Sequence, residues 1–324
     1  MNNQGVDKKV SNSNSPFAGV LFALLSALCS GFYSPLVELI CKNGFSHYLY
    51  GGFAYLGSLT ICLSCFIVLL IKNRKDKSRL NLLSGKKDWI IMACSTLSGS
   101  LGNILLLTAL NMAPASEVSL YSNFELVFTT LLAFFIFKEV IKSYSWVAVP
   151  FIACGAILLS LDFSSSDKAV GFSMASLVSM GSALCWALEN NFSRLISTKN
   201  SFEIASIKSA FNAFMDLTIG FGLGGTIIAI STPFLALGGG VLTVSFYYVF
   251  YLQGQQRIGS VKTSCFFTLA PFIGSVVSLM LNQRIPEWNF YVAFTMIAIG
   301  QSIVAIGTLR RQPDKKSLNK PVDK

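Results

Sequence analysis

Three carboxylates stand alone in long uncharged stretches of this sequence: Glu125, Glu189 and Asp216. After Glu125 the next charge is Lys138. A carboxylate so placed can hold a cationic or amine group, or exchange a proton with a solute. At helical spacing Glu125 can pair with Tyr121 or Ser122, because positions three and four apart share a helix face. Around Glu189, the residues Trp186, Asn190 and Ser193 fall on the same helical stripe, and Arg194 closes it. A polar stripe with one aromatic ring suits an amphipathic solute. Asp216 has Lys208 two turns away, and pairing with Lys208 or with Glu189 is open. The structural alternative for each is a hydrogen bond or ion pair that only ties helices together.

Other chemistry is poorly provided for. The single histidine, His47, has no partner motif and reads as interfacial. Cys62 and Cys65 form a C-x-x-C, but within an uncharged run and without a second ligand pair. That favours packing over redox or metal chemistry. No Gly-Lys-Ser/Thr follows the glycine clusters, so no phosphate loop is implied. Gly220-x-x-x-Gly224 permits close helix contact. Tyr247, Tyr248 and Tyr251 could line a pathway, with an interfacial belt as the favoured alternative. No catalytic residue, cofactor or metal is expected.

The elements that carry these residues are set by composition. Hydrophobic residues make up 53% of the 324, charged residues 12%, and the mean hydropathy is +0.60. Soluble domains carry about 25% charge, so this chain needs lipid as solvent. A hydrocarbon core of ~30 Å takes ~20 helical residues. Runs of that length recur at Val10–Val37, entering near Pro16, and at Asn43–Ile71, Trp89–Ser116, Ser116–Phe137 and Ser143–Leu161, the last with Pro150 inside it. They continue at Ala169–Ser193, Glu203–Ile230, Phe234–Gln253, Thr263–Asn282 and Trp288–Leu309. The expected fold is therefore all-α and integral to a membrane, with about ten transmembrane helices. The first run is too long for a signal-peptide core and reads as a retained span. An ionisable residue inside such a span costs about 2.5–3.5 kcal/mol, which makes each one a functional candidate.

Charge sorts the loops. With the N-terminus inside, all but Lys42, Lys168 and Arg284 of the 25 lysines and arginines fall on cytoplasmic segments or helix starts beside them. This places both termini in the cytoplasm, residues 1–15 and 310–324 as tails, and the protein in the cytoplasmic (inner) membrane. The net charge of +10 is thereby assigned to the lipid surface, and no nucleic acid is expected.

The sequence also echoes itself. Ser26-Ala27-Leu28-Cys29 recurs as Ser182-Ala183-Leu184-Cys185, with Leu21, Leu39 and Ile40 matching Leu177, Leu195 and Ile196. Later spans pair Ser119 with Ser264, Val147 with Val292, Ala148 with Ala293, Ala153 with Ala298 and Gly155 with Gly300. Two halves, 16–161 and 171–309 about a linker at 162–170, are expected. Five spans is an odd number, so the second half enters the membrane from the opposite side. Inverted repeats of this kind place a solute site at their interface.

Three stretches carry a family likeness. They are Pro114-Ala115-Ser116 with Asn123–Thr129 and Phe137-Lys138-Glu139, then Cys185–Arg194, then Leu269–Gly274. On these the sequence resembles the drug/metabolite transporter superfamily, specifically its EamA-type ten-helix members. Arg284 departs from the pattern, where the family carries an acidic residue as at Glu139. The resemblance implies transport of amino acids, other small metabolites, nucleotide-like solutes or drugs. The expected function is a secondary transporter working by alternating access, with proton coupling and exchange both open. The alternatives are an intramembrane enzyme or a non-transporting regulatory subunit. Expected partners are a small-molecule solute and the bilayer, with a homodimer open. The candidate binding residues are Glu125, Glu189, Trp186, Asn190, Asp216 and Tyr121.

Overall fold

The structure is a computed structural model that describes residues 16–74, 80–135, 143–160, 173–196, 198–227, 229–258, 260–283 and 285–310. Both tails, the linker, Lys138, Glu139 and Arg284 lie outside the described residues. Among those described there is no strand. The chain runs through α1 (Pro16–Gly31), α2 (Tyr33–Cys41), α3 (His47–Lys72), α4 (Gly85–Leu110), α5 (Ala115–Tyr121), α6 (Phe124–Phe135) and α7 (Ser143–Ser160). It continues through α8 (Met174–Leu195), α9 (Ser201–Gly222) and α10 (Ser231–Gly240), then a π-helical stretch, Val241–Ser245. Next come α11 (Phe246–Ile258), α12 (Ser260–Phe267), α13 (Ala270–Asn282) and α14 (Trp288–Arg310).

Among the described residues six stretches are long and apolar enough to cross a membrane: Phe17–Cys41, His47–Lys72, Gly85–Leu110, Ser231–Gln255, Cys265–Asn282 and Trp288–Gly307. α8 and α9 fall outside that set although each has 22 residues. They are the helices that carry Glu189, Asn190, Asn191, Lys208, Asn212 and Asp216. The surface has the polarity that lipid requires. Phe17, Val68, Ile90, Phe214, Phe234 and Met280 point outward, while Ser58, Asn103, Lys208 and Asp216 are buried. A water-soluble protein shows the reverse arrangement.

Several of the chain's interruptions have local causes. α5 and α6 are separated at Ser122–Asn123, where the backbone closes short turns from Ser122 N to Ser119 O (3.2 Å) and Asn123 N to Leu120 O (3.1 Å). The Asn123 amide also donates to Leu120 O at 3.0 Å and accepts from Gln301 Nε2 at 3.0 Å. α12 and α13 are separated at Thr268–Leu269, where Pro271, in the first turn of α13, has no N–H to continue the ladder. The two breaks come at nearly the same point of the two stretches that the sequence aligns. α9 ends at Gly222, short of the expected Ile230. Gly224 adopts φ +78° and Gly225 N bonds Gly220 O at 2.9 Å, a glycine C-terminal cap. Gly224 is therefore a cap and not half of a packing motif, whereas Gly220 does pack, on Leu49.

The pairing of helices is itself symmetric. α3 packs along α9, α7 along α14 and α5 along α13, while α4 on α8 is matched by α11 on α1. At side-chain level the match is closest where α7 meets α14. A Cβ at Gly155 would meet Ala293 O, Met296 Cβ and Ile297 Cγ1; one at Gly300 would meet Ala148 O, Phe151 Cβ and Ile152 Cγ1. Each contact is the image of the other in the register Gly155/Gly300. Gly155→Val and Gly300→Val are expected to destabilise by similar amounts, about 1–3 kcal/mol each for overpacking. Thermal unfolding of the purified protein in detergent measures both, and a large inequality would break the equivalence.

Candidate functional site

Four interruptions converge on one cavity. Its wall includes Ser30, Gly31, Tyr33 and Ser34 around the α1–α2 break, and Ser119, Ser122 and Glu125 around the α5–α6 break. Phe267, Ala270 and Pro271 come from the α12–α13 break, and Thr243 and Val244 from the π stretch, with Tyr247 just beyond it. Irregular backbone at membrane depth is tolerated where it lines a cavity. The cavity and its mouth together span about 940 Å³ of space free of protein atoms, open solvent included.

α8 supplies the polar floor. Trp186, Glu189 and Asn190 line the cavity together, as their shared helical stripe predicts. Two glycines of α4 make room for them. A Cβ at Gly99 would lie 2.6 Å from the Glu189 carboxyl carbon, and one at Gly102 2.7 Å from Trp186 Cδ1. Asn190 Nδ2 donates to Glu125 Oε1, which ties α8 to α6 beside Glu189. Lys208 Nζ donates to Glu189 Oε1 at 2.5 Å and to Ser193 Oγ at 2.8 Å, and Ser193 and Ser95 hydroxyls lie 2.8 Å apart. Glu189 is thus neutralised, while the hydrogen bond to Glu125 comes from a neutral amide.

A second chamber lies beyond this floor. It is lined by Thr129, Ser145, Arg194, Ile204, Lys208, Tyr251 and Gln255 among others. Those residues lie toward the starts of α7 and α9 and the ends of α8 and α11. Glu189, Asn190, Tyr247 and Tyr248 border both chambers. The two chambers have these four residues as common wall.

The expected site residues divide as follows. Glu125, Trp186, Glu189 and Asn190 are brought together. Asp216 is fully buried behind the cavity wall and bonds Asn103 Nδ2 at 2.7 Å, not Lys208 or Glu189. Tyr121 is 1% exposed in an apolar cluster with Leu120, Phe124 and Ile152, away from the cavity. It shares a helical interval with Glu125, but the break at Ser122–Asn123 uncouples the two turns. Ser122 lines the cavity instead. Lys208 is 3% exposed and pairs with Glu189. Tyr247 and Tyr248 form cavity wall and not an interfacial belt.

Sequence reasoning also missed Glu38. Its carboxylate accepts from Ser278 Oγ at 2.7 Å and from Ala115 N at 3.2 Å, tying α2 to α13 and to the start of α5. The signal was available, since Glu38 follows the uncharged run directly. Ending the first span at Val37 hid it, whereas α2 continues to Cys41.

Residues 17–161 match the model of the EamA-like transporter family. The first half of the chain is similar to that family. Within the matched EamA region lie the α5–α6 break and Glu125. The second half supplies α8, α9 and the π stretch to the same cavity. Among proteins similar to it is an uncharacterized transporter of Methanothermobacter thermautotrophicus, 27% identical over 222 residues, which cover 67% of this chain. The chain spans 64% of that relative's length. An uncharacterized transporter of Clostridium kluyveri is 23% identical over 263 residues, 78% of this chain and 83% of its own. A protein of known crystal structure aligns with a TM-score of 0.64 over 92% of this chain and all of its own, at 14% identity, so the fold is common to both.

Proposed function

We propose that this protein is an EamA-type secondary transporter for a small organic metabolite, amino-acid-like or otherwise polar or amphipathic. It works by alternating access across the cytoplasmic membrane. In this reading the helices form ten spans: α1–α2, α3, α4, α5–α6 and α7 in the first half, and α8, α9, α10–α11, α12–α13 and α14 in the second. The halves are inverted, both termini are cytoplasmic, and the axis passes between Gly155 and Gly300. The reciprocal packing at those two glycines supports it.

One observation carries the functional reading: two chambers that share Glu189, Asn190, Tyr247 and Tyr248 as a common wall, which we read as a partition. A transporter caught between openings needs such a partition, and a structural bundle has no use for it. Glu125 offers a carboxylate held by the neutral Asn190 amide. A solute amine or hydroxyl takes that amide's place. The Trp186 and Tyr248 rings take the solute's apolar body. Exchange of one rigid half against the other then moves the partition from one side of the solute to the other.

The test is uptake into proteoliposomes of a panel of amino acids, amines, nucleosides and organic acids, in both directions, with and without a pH gradient. Saturable uptake of at least one panel member, lost when Trp186 is replaced by alanine, is the expected result. Flat, non-saturable entry of every member ends the transport reading.

A further inference from the structure

Behind the cavity lies a second polar site, centred on α9. Asp216 is 0% exposed and sits mid-helix. Its Oδ2 accepts from Asn103 Nδ2 at 2.7 Å, and its Oδ1 has no partner. One turn earlier on the same helix face, Asn212 is 3% exposed, and its Oδ1 has no partner either. The Asn212 amide nitrogen is already used, on Lys208 O at 2.9 Å. Gly51 of α3 allows the carboxyl to sit this deep, since a Cβ there would stand 2.8 Å from Oδ2.

No cation bonds Asp216 among the described residues. Lys208, two turns away, is taken by Glu189 and Ser193. The titratable side chains that face it from the surrounding elements are Tyr33 of α2 and Tyr55 of α3. α4 presents the neutral Asn103. None of these supplies a positive charge. A fully buried, unpaired carboxylate is among the costliest groups a membrane protein can hold. A bound metal ion would need several oxygen ligands, and α9 is an unbroken helix with no free backbone carbonyls at this point. A proton removes the charge with no further ligand.

The site communicates with the cavity. Asn103 lines the cavity wall, and its Oδ1 accepts from the Tyr33 hydroxyl, also in the wall, at 3.4 Å. Asn103 therefore has one face toward the solute and one hand on Asp216.

We infer that Asp216 is the proton-carrying residue of this protein, separate from the solute-binding Glu125, and that Asn103 couples the two. In the closed arrangement described here the Asp216 carboxyl is neutral. It takes H⁺ from water on one side and returns H⁺ to water on the other; one O–H bond forms and the same bond breaks. A solute that draws on the Asn103 or Tyr33 polar groups loosens the hold on Oδ2 and favours release. The direction of coupling rests on the transport reading, whereas the protonation of Asp216 does not.

Infrared spectroscopy of the protein in lipid at neutral pH tests the core claim. A carboxylic-acid C=O band is expected that is lost in Asp216→Asn and kept in Glu125→Gln and Glu189→Gln. Should Asp216→Asn fail to fold, wild-type protein labelled with ¹³C-aspartate gives the same answer, because the band must shift. Asp88, the other described aspartate, is ion-paired with Lys199 at 2.7 Å at the start of α4. A spectrum that neither the substitution nor the label alters overturns the proposal. In proteoliposomes, with a panel solute that is taken up, Asp216→Asn should lose accumulation driven by a pH gradient and retain solute exchange. Unchanged gradient-driven accumulation would also overturn it. A panel with no responding solute tells against transport and leaves the infrared result to judge Asp216.

Discussion

Lys208→Met lowers the stability of this protein by about 3–5 kcal/mol, the range for removing one partner of a buried ion pair. The substitution keeps the volume of the side chain and deletes its charge. Glu189 is then left facing the partition with its charge uncompensated, and the Ser193 hydroxyl loses its donor. The side chains are 4% and 13% exposed, so water offers little relief. Lys208→Met combined with Glu189→Leu should recover most of the loss, because no charge then remains to be desolvated. Thermal unfolding in detergent, followed by the monodisperse fraction after heating, compares the three proteins. A single variant that melts with the wild type would show that the pair carries no stability. A double variant no better than the single would show that the cost lies in shape rather than charge.

Glu125→Gln leaves the fold intact and removes most of the function. Glutamine keeps an acceptor for the Asn190 amide, so the α6–α8 contact survives. What is lost is a carboxylate facing the cavity that can ionise against a solute amine. A hydrogen bond to a charged group contributes about 1.5–3 kcal/mol, or roughly a 10- to 150-fold loss of solute affinity by the tenfold-per-1.4 kcal/mol relation. Half-saturation in the proteoliposome assay measures it, with unfolding temperature as the control. Unchanged half-saturation would remove Glu125 from the solute site and leave it as a tie between helices.

The membrane class was legible from composition, and so was the grouping on α8. Trp186, Glu189 and Asn190 share a face because the helix repeats every 3.6 residues, and no other element is needed to know it. The same reasoning failed at Tyr121. Its interval from Glu125 is helical only if the helix is continuous, and Asn123 interrupts it by bonding Leu120 O and Gln301. Gln301 is 178 residues further along the chain, so no local pattern announces the break. Span ends failed for a similar reason. Hydropathy reads Leu223 to Ile230 as more apolar helix, whereas the backbone turns at Gly224.

Sequence by itself determined that this chain dissolves in lipid, that it is helical, and where carboxylates fall within its apolar stretches. All of these are sums or periodicities taken along the chain. Tertiary structure alone decided that Lys208 answers Glu189, that Asn190 reaches Glu125, that Tyr247 and Tyr248 face inward, and that Asp216 is left with a single neutral donor. Those are pairings across helices. Every helix offers several residues at a given depth, and only the packing of small residues such as Gly51, Gly99 and Gly102 sets which of them come within hydrogen-bonding distance.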